Sequence, residues 1–250
     1  MDDPTREPDW YVAHFERAAG RFAEGLKDIN LDAAVPACGD WTVGDLAKHL
    51  GGVHQWARFC VQNQRPPTRD DPRPSPFDPD RAADWYRETA EHLTEALGAI
   101  DPDGPTWHPF PTDQVARLWP RRQAQEVTVH LWDLQRATSS PDPIDPELAA
   151  DGIDEFFSVV IPRLMAREGI TPPRSSFHVH CTDTEGEWLA TGADGEYQVV
   201  RAHQKGDAAL RGPAELVLLA LWRRDHGRDG ELSPVGDEQG LADWLAVGGM

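Results

Sequence analysis

The chain has 250 residues against roughly 150 for a typical domain, so it fits one or two domains with a real core and is too long for a disulfide-stapled mini-protein. Lys and Arg total 24 against 43 Asp and Glu, and the net charge of −19 repels phosphate backbones and anionic membrane surfaces. The longest wholly apolar run, Leu216 to Trp222, is seven residues, far short of the ~20 that cross a bilayer, so neither nucleic acid nor membrane is expected as a partner.

The first ten residues are acidic and carry no basic or apolar segment of a secretion signal. Cys38, Cys60 and Cys181 are odd in number, far apart and without CxxC spacing, so neither a disulfide framework nor a thiolate zinc site is suggested. The expectation is a cytoplasmic protein. Asp9 is placed as the cap of a first helix in which Phe15, Ala19, Phe22 and Leu26 form an apolar stripe. Thr42 to Asp45 reads as a capping box opening a second helix to about Asn63. Residues 65–76 are too rich in proline for helix or sheet and form a loop. Asp78-Pro79 starts a third helix to about Ile100, residues 101–116 form an aromatic loop with Trp107 and Phe110, and a fourth helix runs from near Pro120 to about Ala137. The two loops are the expected seat of substrate choice. A fifth helix from Asp145-Pro146, carrying Leu148, Phe156, Phe157, Val160 and Leu164, completes a bundle.

Beyond Gly169 the apolar period changes to two. Phe177, Val179 and Cys181 alternate with His178 and His180, and Glu187 to Thr191 and Tyr197 to Val200 are further segments of an antiparallel sheet. Pro213 opens a helix, Ala214 to Arg224, apolar on more than one face, and an amphipathic stretch from Glu238 to Val247 ends the chain. The reading is a helical bundle over residues 1–168 followed by a small α+β domain over 169–250.

Glu126 and His130 stand at i and i+4 on the fourth helix, so both reach one point, a spacing that suits a metal ion and equally an ordinary solvated helix face. His49, at the edge of the second helix's apolar stripe, is the candidate third ligand or else a hydrogen-bonded core histidine. Two imidazoles and one carboxylate make zinc the default ion, although Ni, Co, Fe and Mn suit the same donors. Asp133 either orients a ligand or a bound group, or is a surface carboxylate. The cysteines read as packing residues, and His14, His92, His108, His203 and His226 lack paired ligands. No nucleophile elbow, dinucleotide fingerprint or P-loop is present.

The segment from Trp41 to Leu50, WTVGDLAKHL, resembles a signature of the mycothiol-dependent maleylpyruvate isomerase family, and Arg121 to Asp133, RRQAQEVTVHLWD, resembles a second, with Gln125 where many members carry His. Arg211 to Arg224 and Val235-Gly236-Asp237 are similar to segments of the same family's C-terminal domain. The resemblance implies a DinB-like bundle with a sterol-carrier-like second domain, and a divalent metal held by His49, Glu126 and His130. It implies mycothiol as the thiol cofactor or co-substrate, and a metal-bound thiolate that attacks an electrophilic small molecule in an isomerase or S-transferase reaction. By analogy Arg224 holds an anionic substrate, its other reading being a helix C-terminal cation; with Asp133 it completes the candidate catalytic set. The rival readings are a hydrolase using metal-bound water and a non-catalytic protein that binds an apolar ligand.

Overall fold

The computed structural model describes residues 6–138, 140–192 and 195–248. Among them the chain divides into two units, residues up to 108 together with 113–142, and residues 109–112 together with 143 onward. No helix of the described residues is long and apolar enough to cross a membrane.

The first unit is built of four helices. Helix α1 (Pro8–Gly25) buries Tyr11, Phe15, Ala18, Ala19 and Phe22, one face at spacings of three and four. Its cap position is Glu7 rather than Asp9. Pro8 occupies the first turn, where its missing N–H costs nothing, and Asp9 lies one residue inside, its charge favourable near the helix N-terminus. Helix α2 (Val43–Asn63) starts at the expected capping box, in which the Asp45 amide donates to Thr42 Oγ1 at 3.2 Å and the Thr42 amide to Asp45 Oδ2 at 3.1 Å. Asp78 caps a 3-10 turn, Pro79–Arg81, before α3 (Ala82–Gly98) begins. Helix α4 (Leu118–Thr138) starts two residues earlier than expected, with Pro120 inside its first turn.

Helices α1 and α2 each pack against α3 and α4. Where α2 crosses α3 the contact is close enough to require glycine: a Cβ on Gly51 would lie 2.2 Å from Trp85 Cζ3. Gly51→Ala is therefore expected to lower stability by about 1–3 kcal/mol, the usual cost of overpacking, read as a shift of the urea midpoint.

The second unit contains helix α5 (Pro146–Glu155), capped by Asp145, whose side chain accepts from the Glu147 and Leu148 amides. A π turn, Phe156–Val160, leads into α6 (Ile161–Glu168), which ends at Gly169 with φ +68. Pro162 supplies no N–H to the carbonyl four residues back, and the wider turn lies at this break in the ladder. The sequence reading put this fifth helix in the bundle, but α5 packs on α7 (Ala214–Leu221) within the second unit, so the contact boundary falls at 142/143 rather than 168/169.

Five strands form one sheet in the order β3-β2-β1-β4-β5: β1 (Phe177–Cys181), β2 (Glu187–Thr191), β3 (Gln198–Val200), β4 (Ala208–Gly212) and β5 (Ser233–Gly236). Neighbours pair antiparallel as expected except β1 and β4, which are parallel. After β3 the chain crosses back to the free edge of β1 and enters in the same direction. Trp188 Nε1 donates to Asp154 Oδ1 at 2.8 Å and Tyr197 Oη to the Phe157 carbonyl at 2.7 Å, tying the sheet to α5 and the π turn. Helix α7 is buried almost all round, and α8 (Glu238–Val247) closes the chain where the periodicity put it.

Candidate metal centre

His49 is carried by α2, and Glu126 and His130 by α4, in the first unit. The structure brings the three together. His49 Nε2 lies 3.3 Å from Glu126 Oε1 and His130 Nε2 lies 3.6 Å from the same oxygen, and one donor atom from each residue falls within 4.8 Å of the others. Exposure is graded across the set, 34% for the His49 side chain, 20% for Glu126 and 7% for His130, so the centre opens toward solvent on its His49 side. There a cavity of about 480 Å³ is bounded by Trp41, Lys48, Val53 and Trp56.

Asp133 is fully buried, and its Oδ2 lies 2.9 Å from His130 Nδ1. A carboxylate at Nδ1 keeps the proton on that nitrogen and fixes the ring so that Nε2 faces Glu126 and His49, the arrangement that orients metal-binding imidazoles. Asp133 is therefore a buried carboxylate paired with His130 and not a surface one. Arg122, one turn before Glu126, donates from Nη2 to Glu126 Oε2 at 2.8 Å, leaving Oε1 facing the histidines. Burial alone would raise the Glu126 carboxyl. Hydrogen bonds to His130 and His49 and the charge of Arg122 outweigh it and hold the group well below the usual carboxylate range, hence ionised. Burial likewise opposes the charge on His130, but Asp133, Cys38 and Glu126 outweigh it and raise that imidazole well above its ordinary value. A cation entering the centre therefore competes with a proton on His130.

Sequence reasoning missed Arg122 and Cys38. The i, i+4 spacing from Arg122 to Glu126 was a usable signal. Cys38, read as a packing residue, reaches Asp133 Oδ2 at 3.5 Å from a loop 95 positions away in sequence, and no local pattern announces that. Cys60 and Cys181 are buried, and burial above all pushes both thiols up to about 12, so neither is a nucleophile near neutral pH. His54, fully buried against Phe15 and Tyr86, is driven by burial down to about 3 and is neutral.

Arg224 lies in the second unit. Helix α7 ends at Leu221, and Arg223, with φ +57, turns the chain so that the Arg223 amide reaches the Ala220 carbonyl and the Arg224 amide the Leu219 carbonyl, a Schellman closure. The Arg224 guanidinium donates to the Trp222 carbonyl at 2.9 Å and lines a cavity of about 340 Å³ with Arg223, His226 and Asp229.

The Pro-rich loop is held to α2 by a reciprocal amide pair: Gln55 Nε2 donates to the Ser75 carbonyl at 3.0 Å and the Ser75 amide to Gln55 Oε1 at 2.6 Å. Pro72 and Pro74 then wall a cavity of about 430 Å³ together with Trp56, Phe59 and Trp85. Trp56 borders both this cavity and the one beside His49, and Trp107 of the aromatic loop packs edge-on against it, ring centroids 6.2 Å apart.

Asp133→Asn, which keeps the shape but removes the charge behind His130, is expected to weaken divalent-metal affinity by roughly 10- to 100-fold with little change in helix content, measured by competition against a chromophoric chelator.

Comparison with known proteins gives the family of the chain. Residues 12–135 match the family model for the mycothiol maleylpyruvate isomerase N-terminal domain, and residues 147–243 match that for the MDMPI C-terminal domain. The chain belongs to the mycothiol maleylpyruvate isomerase family. Two curated relatives, the uncharacterized proteins MT0763 and Rv0738 of Mycobacterium tuberculosis (strains CDC 1551 / Oshkosh and ATCC 25618 / H37Rv), are each 28% identical over 159 residues, covering 62% of this chain and 81% of their own. Among solved structures, the crystal structure of the mycothiol-dependent maleylpyruvate isomerase superposes with a TM-score of 0.62, and that of a histidine-to-alanine mutant with 0.64. Both are 10% identical and cover 92% of this chain and 93% of theirs, a likeness of fold.

Proposed function

We propose that this protein is a divalent-metal-dependent enzyme that uses mycothiol against an electrophilic small molecule, as an isomerase or a thiol S-transferase, with His49, Glu126 and His130 as the metal ligands and zinc as the ion. The convergence of two imidazole nitrogens and one ionised carboxylate oxygen beside an open cavity, in a chain of this family, carries the reading. Three protein ligands leave coordination positions for an exogenous group, which separates a catalytic from a purely structural centre.

A divalent ion held by these donors stabilises thiolate over thiol and so supplies a sulfur nucleophile near neutral pH. The chain's own residues do the rest. Asp133 fixes the His130 ring and Arg122 fixes the Glu126 carboxylate, so the donors are organised before ligand arrives. Trp41 and Trp56 give the open cavity apolar walls against which a substrate's carbon skeleton can pack, and Lys48 and Asp45 give it polar groups of both signs. In an isomerase the adduct rotates about the former double bond and expels the thiol; in a transferase the sulfur stays in the product. The loops meeting at Trp56 are the proposed determinants of which electrophile is accepted.

Arg224 is proposed as an anion-holding residue. Arg224→Ala is expected to raise the substrate KM by roughly 10-fold or more, the loss of a charge-assisted hydrogen bond, with metal content unchanged; an unchanged KM overturns that role. For the activity itself, metal-loaded full-length protein is mixed with mycothiol and a panel of activated alkenes and alkyl halides that includes maleylpyruvate. Thiol-dependent acceleration is the expected result. Turnover that needs no thiol would point instead to water activation by the same ligands, and no turnover across the panel overturns the proposal.

A further inference from the structure

The second unit holds another cluster of metal-ligating side chains. On β1, His178 and His180 project from the face opposite the buried Phe177, Val179 and Cys181. The antiparallel register sets Glu187 of β2 directly across from His180, on that same face. Past β3 the chain turns back and delivers the exposed His203 to the same carboxylate: His203 Nδ1 lies 2.6 Å from Glu187 Oε2, while His180 Nδ1 pairs with Glu187 Oε1. His178 Nε2 is aimed at the same point, 3.7 Å from Oε2 and so beyond a hydrogen bond; that nitrogen is buried and has no hydrogen-bond partner. One donor atom from each of the four residues lies within 4.8 Å of the others.

A hydrogen-bonded network accounts for three of these side chains. Glu187 pairs one oxygen with His180 and the other with His203, and the His178 nitrogen is left over, an arrangement that costs free energy when the atom is buried. A cation at the common point engages all four donors. We propose that this face of the sheet is a second metal site, which takes one zinc-class divalent cation through His178, His180, Glu187 and His203. Three imidazoles and one carboxylate form a closed tetrahedral set for zinc or its cobalt substitute, and a poor one for magnesium or calcium, which favour all-oxygen donors. Arg211, at the β4 register position beside His180, is exposed and brings positive charge to this face, so binding rests on coordination rather than on a net negative field. With four protein ligands the role is structural: the ion clips the β1–β2 hairpin to the segment after β3. The site shares no residue with the bundle centre and does not depend on the function proposed above.

The test uses full-length protein and Co(II), whose visible absorbance reports four-coordinate nitrogen and oxygen ligation. In a His49→Ala/Glu126→Gln background, which removes two of the bundle ligands, one Co(II) per chain is expected to bind with tetrahedral absorbance, and excess Zn(II) is expected to raise the Tm. Adding His178→Ala and His180→Ala should weaken Co(II) affinity at least about 100-fold and abolish the Tm shift, with the metal-free circular dichroism unchanged. Should that variant fail to fold, Glu187→Gln in the same background carries the comparison. No Co(II) bound in the background protein, or undiminished binding once these ligands are removed, overturns the site and reduces the cluster to a hydrogen-bonded network.

Discussion

Glu126→Gln is expected to lower thiol-dependent turnover by roughly 10²- to 10³-fold, the range seen when one preorganised electrostatic group is removed from an active site, and to strip the metal from the bundle centre. The side chain keeps its volume, and an amide oxygen still accepts from Arg122 Nη2, now at 2.8 Å from Glu126 Oε2, so the fold should persist. What is lost is the negative charge between His49 and His130, each within 3.6 Å of Glu126 Oε1. A neutral amide is a weak ligand for zinc, and two imidazoles are left to hold the ion. Elemental analysis with steady-state kinetics reads both effects. Wild-type turnover in metal-depleted Glu126→Gln protein would separate the activity from this centre.

Trp188→Ala carries the largest expected cost in stability, about 3–5 kcal/mol, as for other large aromatic truncations in a packed core. The ring is 1% exposed, and Gly186 leaves it room, because a Cβ there would sit 2.5 Å from Trp188 Cη2. Its indole N–H and Arg201 Nε both donate to Asp154 Oδ1 at 2.8 Å, and the Arg201 guanidinium lies 5.3 Å from the ring centroid. Truncation thus opens a cavity and removes a donor from a buried carboxylate together. Glu187, the preceding residue, points to the opposite face, and Glu187→Gln in metal-free protein, which weakens its part-exposed pairs with His180 and His203, should cost no more than about 1 kcal/mol. Urea unfolding followed by circular dichroism compares the two. A loss below about 1 kcal/mol for Trp188→Ala would contradict the packing described for this sheet.

Local signals in the sequence were enough for much of the fold. The capping box at Thr42 and the i, i+4 pair of Glu126 and His130 are one-helix features, readable without knowledge of the partner helix. His49, at the edge of an apolar stripe, was readable as a candidate third ligand beside Glu126, 77 positions away, with a core histidine as the alternative, and the family resemblance favoured the ligand reading. Other features depend on tertiary placement. β4 is rich in Ala and Gly and β5 contains Pro234, so neither carries strand propensity, and both are fixed by pairing. The fifth helix has the caps and apolar residues of a bundle helix, but which unit it joins is decided by its contact with α7. His178 and His180 were seen to share a strand face, yet their link to Glu187 depends on the β1–β2 register and that to His203 on the turn after β3. Local periodicity contains neither.

The most direct test of the central claim is titration of mycothiol into Co(II)-loaded protein that carries His178→Ala and His180→Ala, so that only the bundle centre is read. A near-ultraviolet thiolate-to-cobalt charge-transfer band that saturates at one thiol per chain, and is absent when Glu126→Gln is added, is the predicted result. No band in the parent protein, or the same band in the Glu126→Gln protein, would contradict a thiol site built on His49, Glu126 and His130.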